Sequence, residues 1–522
     1  LHKEYRRQRQ MCIRDRVYDM LCRGDSIGVF QVESRAQIGA LPRLKPRCFY
    51  DLAVEIGLIR PGPVQGGAVH PYIRRRTGVE PVTYPHPLLE PVLERTLGIP
   101  LFQEQLMQMA TTVGNCTAAD ADLLRRAMGS KRGVERIDSL RTKLFEGMAA
   151  NGIDDDTAQG IYARIESFAN FGFAESHALS FAGLVYTSAW IKLHYPAVFL
   201  AALLRSQPMG FYSSATLVAD ARRHGVVTRR PDVARSSVGA DLELLDACCE
   251  ELGSEELETG IDECLHDHDE SEIGAFDPNR DDGDHRRDTH FAVRLGLSDV
   301  SGINIETATR IVEERERESF ASLDDLARRV DLSGEEVEAL ALAGAFDDLV
   351  GSRRGALWQI GQINGVGPGQ LDVQVVTQPP LLPEPTQMEL LGDDLRATGI
   401  STADHPVRQV RDALNRRGVV QVDRLDGVET RRRIEVAGVV THRQRPGTAG
   451  GVTFLNLEDE TGLLNVIVTP GAWRHYRRVA RTSRALVVRG ILERGDEGVM
   501  SLQADRLEAL DLSVPTKSRD FR

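Results

Sequence analysis

Two adjacent arginines, Arg125 and Arg126, are the residues of this sequence best suited to bind a phosphate group. Thr117 and Asp120 have the spacing of a helix N-cap and the acid three residues later, which predicts that a helix begins there. The apolar residues of this helix share one face: Leu123, Leu124, Ala127 and Met128. Both arginines fall on the opposite side, where forked guanidinium donors suit phosphate oxygens. The alternative interpretation is an ordinary solvated helix face.

The composition is typical of a multidomain protein with real hydrophobic cores. A chain of 522 residues, 41% of them apolar, suggests roughly three to four domains. No apolar run is long enough to span a membrane and no secretory signal is visible, so we expect no membrane partner. Seven cysteines at irregular spacing, without a CxxC pair, suit a reducing cytosol and predict a cytoplasmic protein.

The net charge of −13 would by itself argue against nucleic acid as a partner. Its distribution reverses that conclusion. Residues 241–290 hold 19 acidic residues against three arginines, a net of −16, which leaves the rest of the chain at +3. Outside this acidic segment, the protein is therefore mildly basic.

The pattern along the chain predicts seven segments. Residues 1–16 are a basic tail or an artefact, and residues 17–232 form a mostly helical block. Residues 233–290 are an acidic insertion, poor in aromatic residues, which is predicted to be disordered. The remaining segments are a strand–turn–helix region, a linker, a β-barrel and a tail: 291–360, 361–420, 421–512 and 513–522.

The acidic insertion also contains a group of residues that bind zinc in other proteins: Cys248, Cys249, Cys264, His266 and His268. Their spacing fits no standard zinc finger. We therefore predict a solvated loop and no metal site.

Residues 291–346 predict two helical units, the first of which follows a strand and a tight turn. The turn contains Gly302 and Asn304, and a helix follows over 306–316. Such a turn leaves backbone N–H groups free at a helix N-terminus, where a phosphate can bind. Asn304 stands where a second glycine is usual, and we expect it to adopt the left-handed conformation. The second unit carries several acidic residues and is expected to pack rather than to contact DNA.

Period-two patterning over 421–512 predicts about five short strands in a small OB-type barrel. Base-stacking and phosphate-binding residues are interleaved with these strands: His442, Arg443, Arg445, Phe454, Trp473, His475, Tyr476, Arg477 and Arg478. The alternative for Phe454 and Trp473 is a place in the barrel core.

Several separated stretches resemble, in family order, the fingers region of the bacterial C-family DNA polymerases, the replicative alpha-subunit family. They are 28–35 (GVFQVESR), 58–63 (LIRPGP), 102–110 (FQEQLMQMA), 123–129 (LLRRAMG) and 171–178 (FGFAESHA). Two more stretches, 208–213 (PMGFYS) and 440–454 (VTHRQRPGTAGGVTF), resemble the error-prone branch of that family, which acts in damage-induced translesion synthesis. The resemblance covers about 17–232 and 291–512.

The resemblance implies a multidomain α+β fold: a mostly helical fingers domain, a helix-hairpin-helix region and a C-terminal β OB-fold. In the family a PHP domain and a palm come before the fingers, and three palm carboxylates hold two Mg²⁺ ions. The paired-aspartate motif of the palm is absent from this sequence, and Asp15, Asp19 and Asp25 stand in a different context. We therefore expect a C-terminal fragment that does not polymerise alone, with Mg²⁺ bound by residues outside this chain.

By resemblance, Arg125 and Arg126 lie on the fingers helix that faces the incoming deoxynucleoside triphosphate (dNTP). Two guanidiniums there would position the triphosphate and stabilise its charge. Arg60, in a proline-braced turn, is a further candidate for the dNTP; the alternative is an ion pair with Glu55 or Glu104.

Ser176 and His177 follow an aromatic–glycine turn and are the last two candidates for contact with dNTP or primer. The alternatives are that Ser176 caps the following helix and that His177 is packed. The candidate DNA contacts are Lys131, Arg132, Gly302, Asn304, His442, Arg443, Arg445 and Phe454.

A short sliding-clamp motif is also considered, since Gln387, Leu390 and Leu391 have its pattern of a glutamine followed by apolar residues. The error-prone branch is expected to reach the clamp through accessory translesion proteins instead. The sequence thus predicts part of an error-prone DNA-directed DNA polymerase that binds dNTPs and primer-template DNA. The alternative is a non-catalytic single-stranded nucleic-acid-binding protein that uses only the hairpin and OB modules.

Overall fold

The computed structural model describes most of the chain. The described residues are 16–60, 69–128, 133–167, 173–245, 276, 285–363, 382–445, 450–495, 500–512 and 519–521. Those up to 193, with 276 and 285, belong to one compact unit, and the others from 194 onward belong to a second. Among the described helices, none combines the length and the apolar character needed to cross a bilayer.

The described residues of the first unit form helices joined by turns and loops, with no strand among them. Its α-helices are Arg35–Ile38, Leu41–Leu44, Phe49–Leu58, Val69–Arg76, Glu90–Leu93, Gln103–Gly114, Ala118–Ala127, Gly133–Asp138, Arg141–Ala150, Asp155–Ser167 and Glu175–His194. A core of buried side chains such as Leu106, Leu124 and Leu144 joins the middle helices. The helices Gln103–Gly114 and Arg141–Ala150 contact each other at glycines, since a Cβ on Gly147 would lie 2.1 Å from the carbonyl oxygen of Gly114.

The helix Ala118–Ala127 confirms the predicted start. Thr117 is its N-cap, and the Asp120 side chain accepts a 2.7 Å hydrogen bond from the Thr117 backbone N–H, which completes a capping box. Leu124 and Ala127 are buried as expected. Leu123 is 36% exposed, because it lies at the edge of the apolar arc rather than within it.

The second unit begins with two helices, Pro196–Arg205 and Ser214–Arg223, followed by a three-stranded sheet. Its strands are β1 (Val227–Arg229), β2 (Asp241–Leu244) and β3 (Phe291–Arg294). β3 lies between the other two, parallel to β1 and antiparallel to β2.

This sheet corrects the predicted limits of the disordered acidic insertion, because β2 falls within residues 233–290. The acidic side chain of Glu243 is held by ion pairs with Arg294 on the neighbouring strand β3, with Arg229 on β1 and with Arg235. Composition alone could not predict these ion pairs of Glu243, because most of the arginines come from distant parts of the sequence. The five cysteines and histidines considered for zinc lie outside the described residues.

A helical region follows over the described part of 297–397. Its α-helices are Ile305–Arg317, Leu323–Val330, Gly334–Leu342, Asp347–Val350, Arg353–Ile363 and Gln387–Ala397. Buried residues such as Ile311, Leu326 and Leu340 form its core. The last helix lies within the predicted linker 361–420, yet its Asp394 accepts a 2.8 Å hydrogen bond from Arg353 and both are buried. That part of the linker prediction is therefore wrong, because a buried ion pair ties the helix to its neighbour.

The chain ends in a closed barrel, preceded by the helix Arg411–Arg417. Its strands are β4 (Arg433–Gln444), β5 (Thr453–Glu458), β6 (Leu463–Val468), β7 (Ala485–Arg494) and β8 (Met500–Ala509). The hydrogen-bonded order is β5–β6–β8–β7–β4, and β4 also pairs with β5, which closes the barrel. Two short helices, Pro470–His475 and Arg477–Thr482, connect β6 to β7, and β9 (Arg519–Phe521) pairs with β4. The five predicted strands and the OB topology are confirmed.

Candidate nucleotide and nucleic-acid interfaces

Arg125 and Arg126 lie on the last turn of the helix Ala118–Ala127, with 49% and 66% of their side chains exposed. Both bind the same carboxylate. Arg125 donates from Nε and Nη2 to Asp122 Oδ1 at 3.0 and 2.8 Å, and Arg126 donates from Nε to Oδ2 at 2.8 Å. These hydrogen bonds lower the pKa of Asp122. The exposed position of both arginines agrees with the helical spacing, but their partner Asp122, three and four residues before them, was not predicted. Lys131 and Arg132 lie outside the described residues.

Arg60 pairs with neither Glu55 nor Glu104. Its guanidinium carbon lies 3.5 Å from the ring centre of Phe173, a cation–π stack. Partial burial lowers the pKa of Arg60. Glu104 instead accepts a 2.8 Å hydrogen bond from the backbone N–H of Glu175, at the start of the helix Glu175–His194.

His177 belongs to the same aromatic group, with its ring centre 5.3 Å from that of Phe173 and 4.1 Å from that of Phe181. It is nevertheless exposed, as is Ser176. The helix begins at Glu175, so Ser176 is inside the first turn and does not act as its N-cap. The structure therefore brings Arg60 and His177 together around Phe173.

Arg95 also belongs to this region, although nothing in the sequence around it predicts this position. Its guanidinium carbon lies 3.8 Å from the ring centre of Tyr50, and its Nη1 lies 3.6 Å from Glu175 Oε1. The Tyr50 hydroxyl donates to the same carboxylate oxygen at 2.7 Å. Burial and this hydrogen bond raise the pKa of Tyr50. Two arginines therefore lie near the start of the helix Glu175–His194: Arg60 stacks on Phe173, and Arg95 lies close to Glu175.

The predicted hairpin forms, but Asn304 has a different role from the one expected. Gly302 takes the positive φ of the turn (+97°), while Asn304 has φ −85°. The Asn304 side chain accepts a 2.7 Å hydrogen bond from the Thr307 N–H and caps the helix Ile305–Arg317. The left-handed conformation predicted for Asn304 is therefore wrong, because an N-cap requires extended backbone.

The candidate clamp motif forms the first turns of the helix Gln387–Ala397. Gln387 is exposed and Leu390 is half-buried, but Leu391 is buried. A clamp contact through Leu391 does not fit this position, because the side chain packs inside the protein.

His442 and Arg443 were predicted to contact DNA, and the structure buries both, with 4% and 7% exposure. His442 Nε2 lies 2.6 Å from the carbonyl oxygen of Phe211. Arg443 donates from Nε to the carbonyl oxygen of Ala480 at 2.9 Å and from Nη2 to that of Ser483. Both side chains satisfy backbone groups of segments that pack over the end of β4, which corrects the prediction.

Arg445 and Phe454 remain accessible at the two ends of the loop between β4 and β5. Arg445 is exposed, with its guanidinium carbon 5.7 Å from the Trp473 ring centre, and Phe454 is half-buried. Trp473 packs against the barrel core while part of its surface stays open. Trp473 therefore has part of the core position that was its alternative, and its stacking on bases stays a prediction.

Comparison with known proteins identifies each of these regions. Residues 11–152 match the bacterial DNA polymerase III alpha subunit finger domain, 225–356 match a helix-hairpin-helix motif, and 434–510 match an OB-fold nucleic acid binding domain. The chain is 50% identical over 509 residues to an error-prone DNA polymerase of Mycolicibacterium paratuberculosis, covering 97% of this chain and 42% of that protein. Over nearly its whole length, this chain is similar to the error-prone DNA polymerases.

Other relatives agree with this result. The error-prone DNA polymerase of Mycobacterium tuberculosis H37Rv is 50% identical over 509 residues, and that of Nocardia farcinica is 49% identical over 524. This chain spans about two fifths of the length of the polymerases it matches, with 42% and 41% of these two covered. The resemblance inferred from the motifs and the predicted fold class are confirmed.

The two stretches that resemble the error-prone branch contact each other. The ring of Tyr212, from 208–213, lies 5.4 Å from that of His442, from 440–454, in an edge-to-face arrangement. Nearby, Glu458 is buried at the end of β5, where it accepts a 3.4 Å hydrogen bond from Thr216 and lies 3.6 Å from Arg223. Burial raises the pKa of Glu458 to about 7. These contacts therefore connect the barrel to the segment before β1.

The two described aspartates near the start of the chain each have a cationic partner. Asp19 is buried and binds Arg47, and Asp25 lies 2.7 Å from the ammonium of Lys192. Asp15 lies outside the described residues. We assign no role in binding Mg²⁺ to these aspartates.

Proposed function

We propose that this chain forms the finger, hairpin and OB part of an error-prone DNA polymerase, which carries out template-directed nucleotidyl transfer past damaged bases. The observation that carries the proposal is the order of three polymerase-type domains in one chain that is 50% identical to such enzymes over 97% of its length. The part of the reaction assigned to it is the binding of dNTPs and primer-template DNA.

The dNTP would bind at Arg125 and Arg126. Two exposed guanidiniums at one helix end offer bidentate donors to a polyanion. A triphosphate with four negative charges would compete with the single carboxylate of Asp122 for them. Arg60, Ser176 and His177 are the second group of candidates, near Phe173.

Mg²⁺ would supply charge neutralisation at the reacting phosphates, held by carboxylates that this chain does not provide. DNA would contact the turn at Gly302 and the exposed side of the barrel near Arg445 and Phe454. We further propose that accessory translesion proteins link the enzyme to the sliding clamp, since the Gln387–Leu391 segment is partly buried.

A chimaera tests the proposal. This chain would replace the matching 42% of the Mycolicibacterium paratuberculosis polymerase, and primer extension would be measured on intact and damaged templates. We expect extension on both. Arg126→Ala should lower kcat/KM for dNTP by about 5- to 150-fold, the loss of a contact worth roughly 1–3 kcal/mol. Arg141→Ala, an exposed arginine beside Asp138 in the same unit, serves as the control.

A folded chimaera that binds DNA but extends no primer would overturn the proposal. It would favour instead the non-catalytic binding protein. Unchanged nucleotide kinetics in Arg126→Ala would remove the arginine pair from the dNTP site while leaving the polymerase assignment in place.

A further inference from the structure

The two short helices between β6 and β7, Pro470–His475 and Arg477–Thr482, have one apolar and one basic face. Ala480 is buried in the barrel core, and Trp473, Tyr476 and Val479 pack against it. These contacts fix which way the helices face, because their remaining side chains must point to solvent.

The outward face carries four exposed arginines, which we call the basic ridge: Arg474, Arg477, Arg478 and Arg481. Arg477 and Arg478 are adjacent, and Arg481 follows them by four and three residues, so within the second helix Arg481 is a surface neighbour of both. Arg474, on the first helix, precedes Arg477 and Arg478 by three and four residues. Like charges at this spacing destabilise a helix. The ridge is therefore unfavourable unless a polyanion neutralises it.

Within the described part of the chain, no carboxylate pairs with a ridge arginine. Arg474 donates only to the carbonyl oxygen of Pro470, at 3.3 Å. Several other arginines in this part of the chain do have carboxylate partners: Arg417, on the helix before the barrel, binds Glu435 and Glu508, and Arg489 binds Asp505. The ridge differs from these in joining four exposed arginines that have no ion pair among the described residues.

The buried guanidinium of Arg443 supports the ridge from below. It donates to the carbonyl oxygens of Ala480 and Ser483, at the C-terminal end of the second helix. A cation at this position satisfies carbonyls that the helix leaves unpaired and suits its negative end. Arg445 reaches the first helix through its contact with Trp473. The barrel strand therefore holds both ridge helices in place.

We propose that the basic ridge binds the phosphate backbone of a nucleic-acid strand, apart from any contact made by the barrel strands. The proposal rests on the polymerase function proposed above and assigns part of its DNA binding to one surface. A row of guanidiniums complements a row of phosphates, and guanidinium forks bind phosphate oxygens in pairs. Binding at the ridge would be independent of base sequence, because phosphates carry no sequence information.

The test uses the whole chain and fluorescently labelled oligonucleotides, single-stranded and duplex, with anisotropy measured between 50 and 200 mM KCl, roughly the range over which phosphate contacts weaken. Arg477→Gln with Arg478→Gln should weaken single-strand binding by roughly tenfold at the lower salt and reduce the salt slope by about 1.4. The matched control is Arg489→Gln with Arg506→Gln, which removes two partly exposed barrel arginines that pair with Asp505 and Glu508. Circular dichroism would verify that both variants fold.

Equal affinity and slope in the wild type and the ridge variant would overturn the proposal, as would an equal loss in the control. A loss for single strands alone, or for both forms, supports it and shows which strand form the ridge holds. Binding of an acidic polypeptide at the ridge, without DNA binding there, would also overturn it. If the chimaera extends primers while the ridge variant binds DNA normally, only this inference fails and the polymerase function stands.

Discussion

The arginine pair of the helix Ala118–Ala127 and the basic ridge of the barrel carry the same chemical groups in different surroundings. Arg125 and Arg126 share the carboxylate of Asp122, whereas the ridge arginines have no carboxylate partner among the described residues. A ligand at the first site must displace an existing partner, which favours a compact, highly charged one such as a triphosphate. The ridge is open to a long polyanion. The position of nearby carboxylates, rather than the number of arginines, therefore distinguishes the two surfaces.

The largest expected effect is a loss of stability on substitution of Arg443, the buried residue that holds the second ridge helix. Arg443→Met would leave two carbonyls without their charged donor inside the protein, so we expect the free energy of unfolding to fall by roughly 3–5 kcal/mol. Urea denaturation measures this change. Arg445→Met, on the same strand but exposed, is the control and should lose less than about 1 kcal/mol. Equal stability of the two variants would show that Arg443 does not hold the ridge.

The next effect concerns a carboxylate that is buried beside its arginine, unlike the exposed Asp122. Burial raises the pKa of Glu458 from 4.5 to about 7, so the folded state holds the proton more tightly than the unfolded state. As pH rises from 4.5 to 7, the free energy of unfolding should fall, by up to about 3 kcal/mol. Glu458→Gln should remove this dependence. Identical pH profiles of unfolding in wild type and variant would contradict the account of the barrel contact.

The smallest expected effect is a change in KM for dNTP when the carboxylate beside Arg125 and Arg126 is removed. Asp122→Asn would release Arg125 and Arg126 from their partner, and we expect KM for dNTP in the chimaera to fall by about two- to fivefold. Asp138→Asn, which removes the carboxylate beside Arg141, is the matched control. A KM that stays the same or rises in Asp122→Asn would mean that the pair does not bind the triphosphate.

Much of the fold could be predicted because its signals are local. Asp120 follows Thr117 by three residues in the capping box, and β5 and β6 each show a period-two alternation within the strand. The burial of His442 and Arg443 could not be predicted, since residues around 211 and 480 cover them from far along the chain. β2 was hidden for the same reason, because the arginines that neutralise Glu243 come from other segments.

The candidate site was predicted in part. Helical spacing alone placed Arg125 and Arg126 on the exposed face, and Asp122 was visible at the right distance but was not considered. Arg95 gave no local signal, since its partners Tyr50 and Glu175 lie 45 and 80 residues away. Arg477 and Arg478 were predicted to bind phosphate, whereas Arg474 and Arg481 were not; only the packing of Trp473 and Ala480 shows that the four share one face.

The most direct test gives the ridge the carboxylate that it lacks. Position 474 precedes Arg477 and Arg478 by the same three and four residues that separate Asp122 from Arg125 and Arg126. DNA binding by Arg474→Asp and Arg474→Gln would be compared across salt concentrations. The account predicts that the aspartate variant loses about 2 from the salt slope, because three arginines are lost or neutralised, and the glutamine variant only about 0.7. Equal slopes and affinities in the two variants would contradict the claim that the absence of a carboxylate makes the ridge a binding surface.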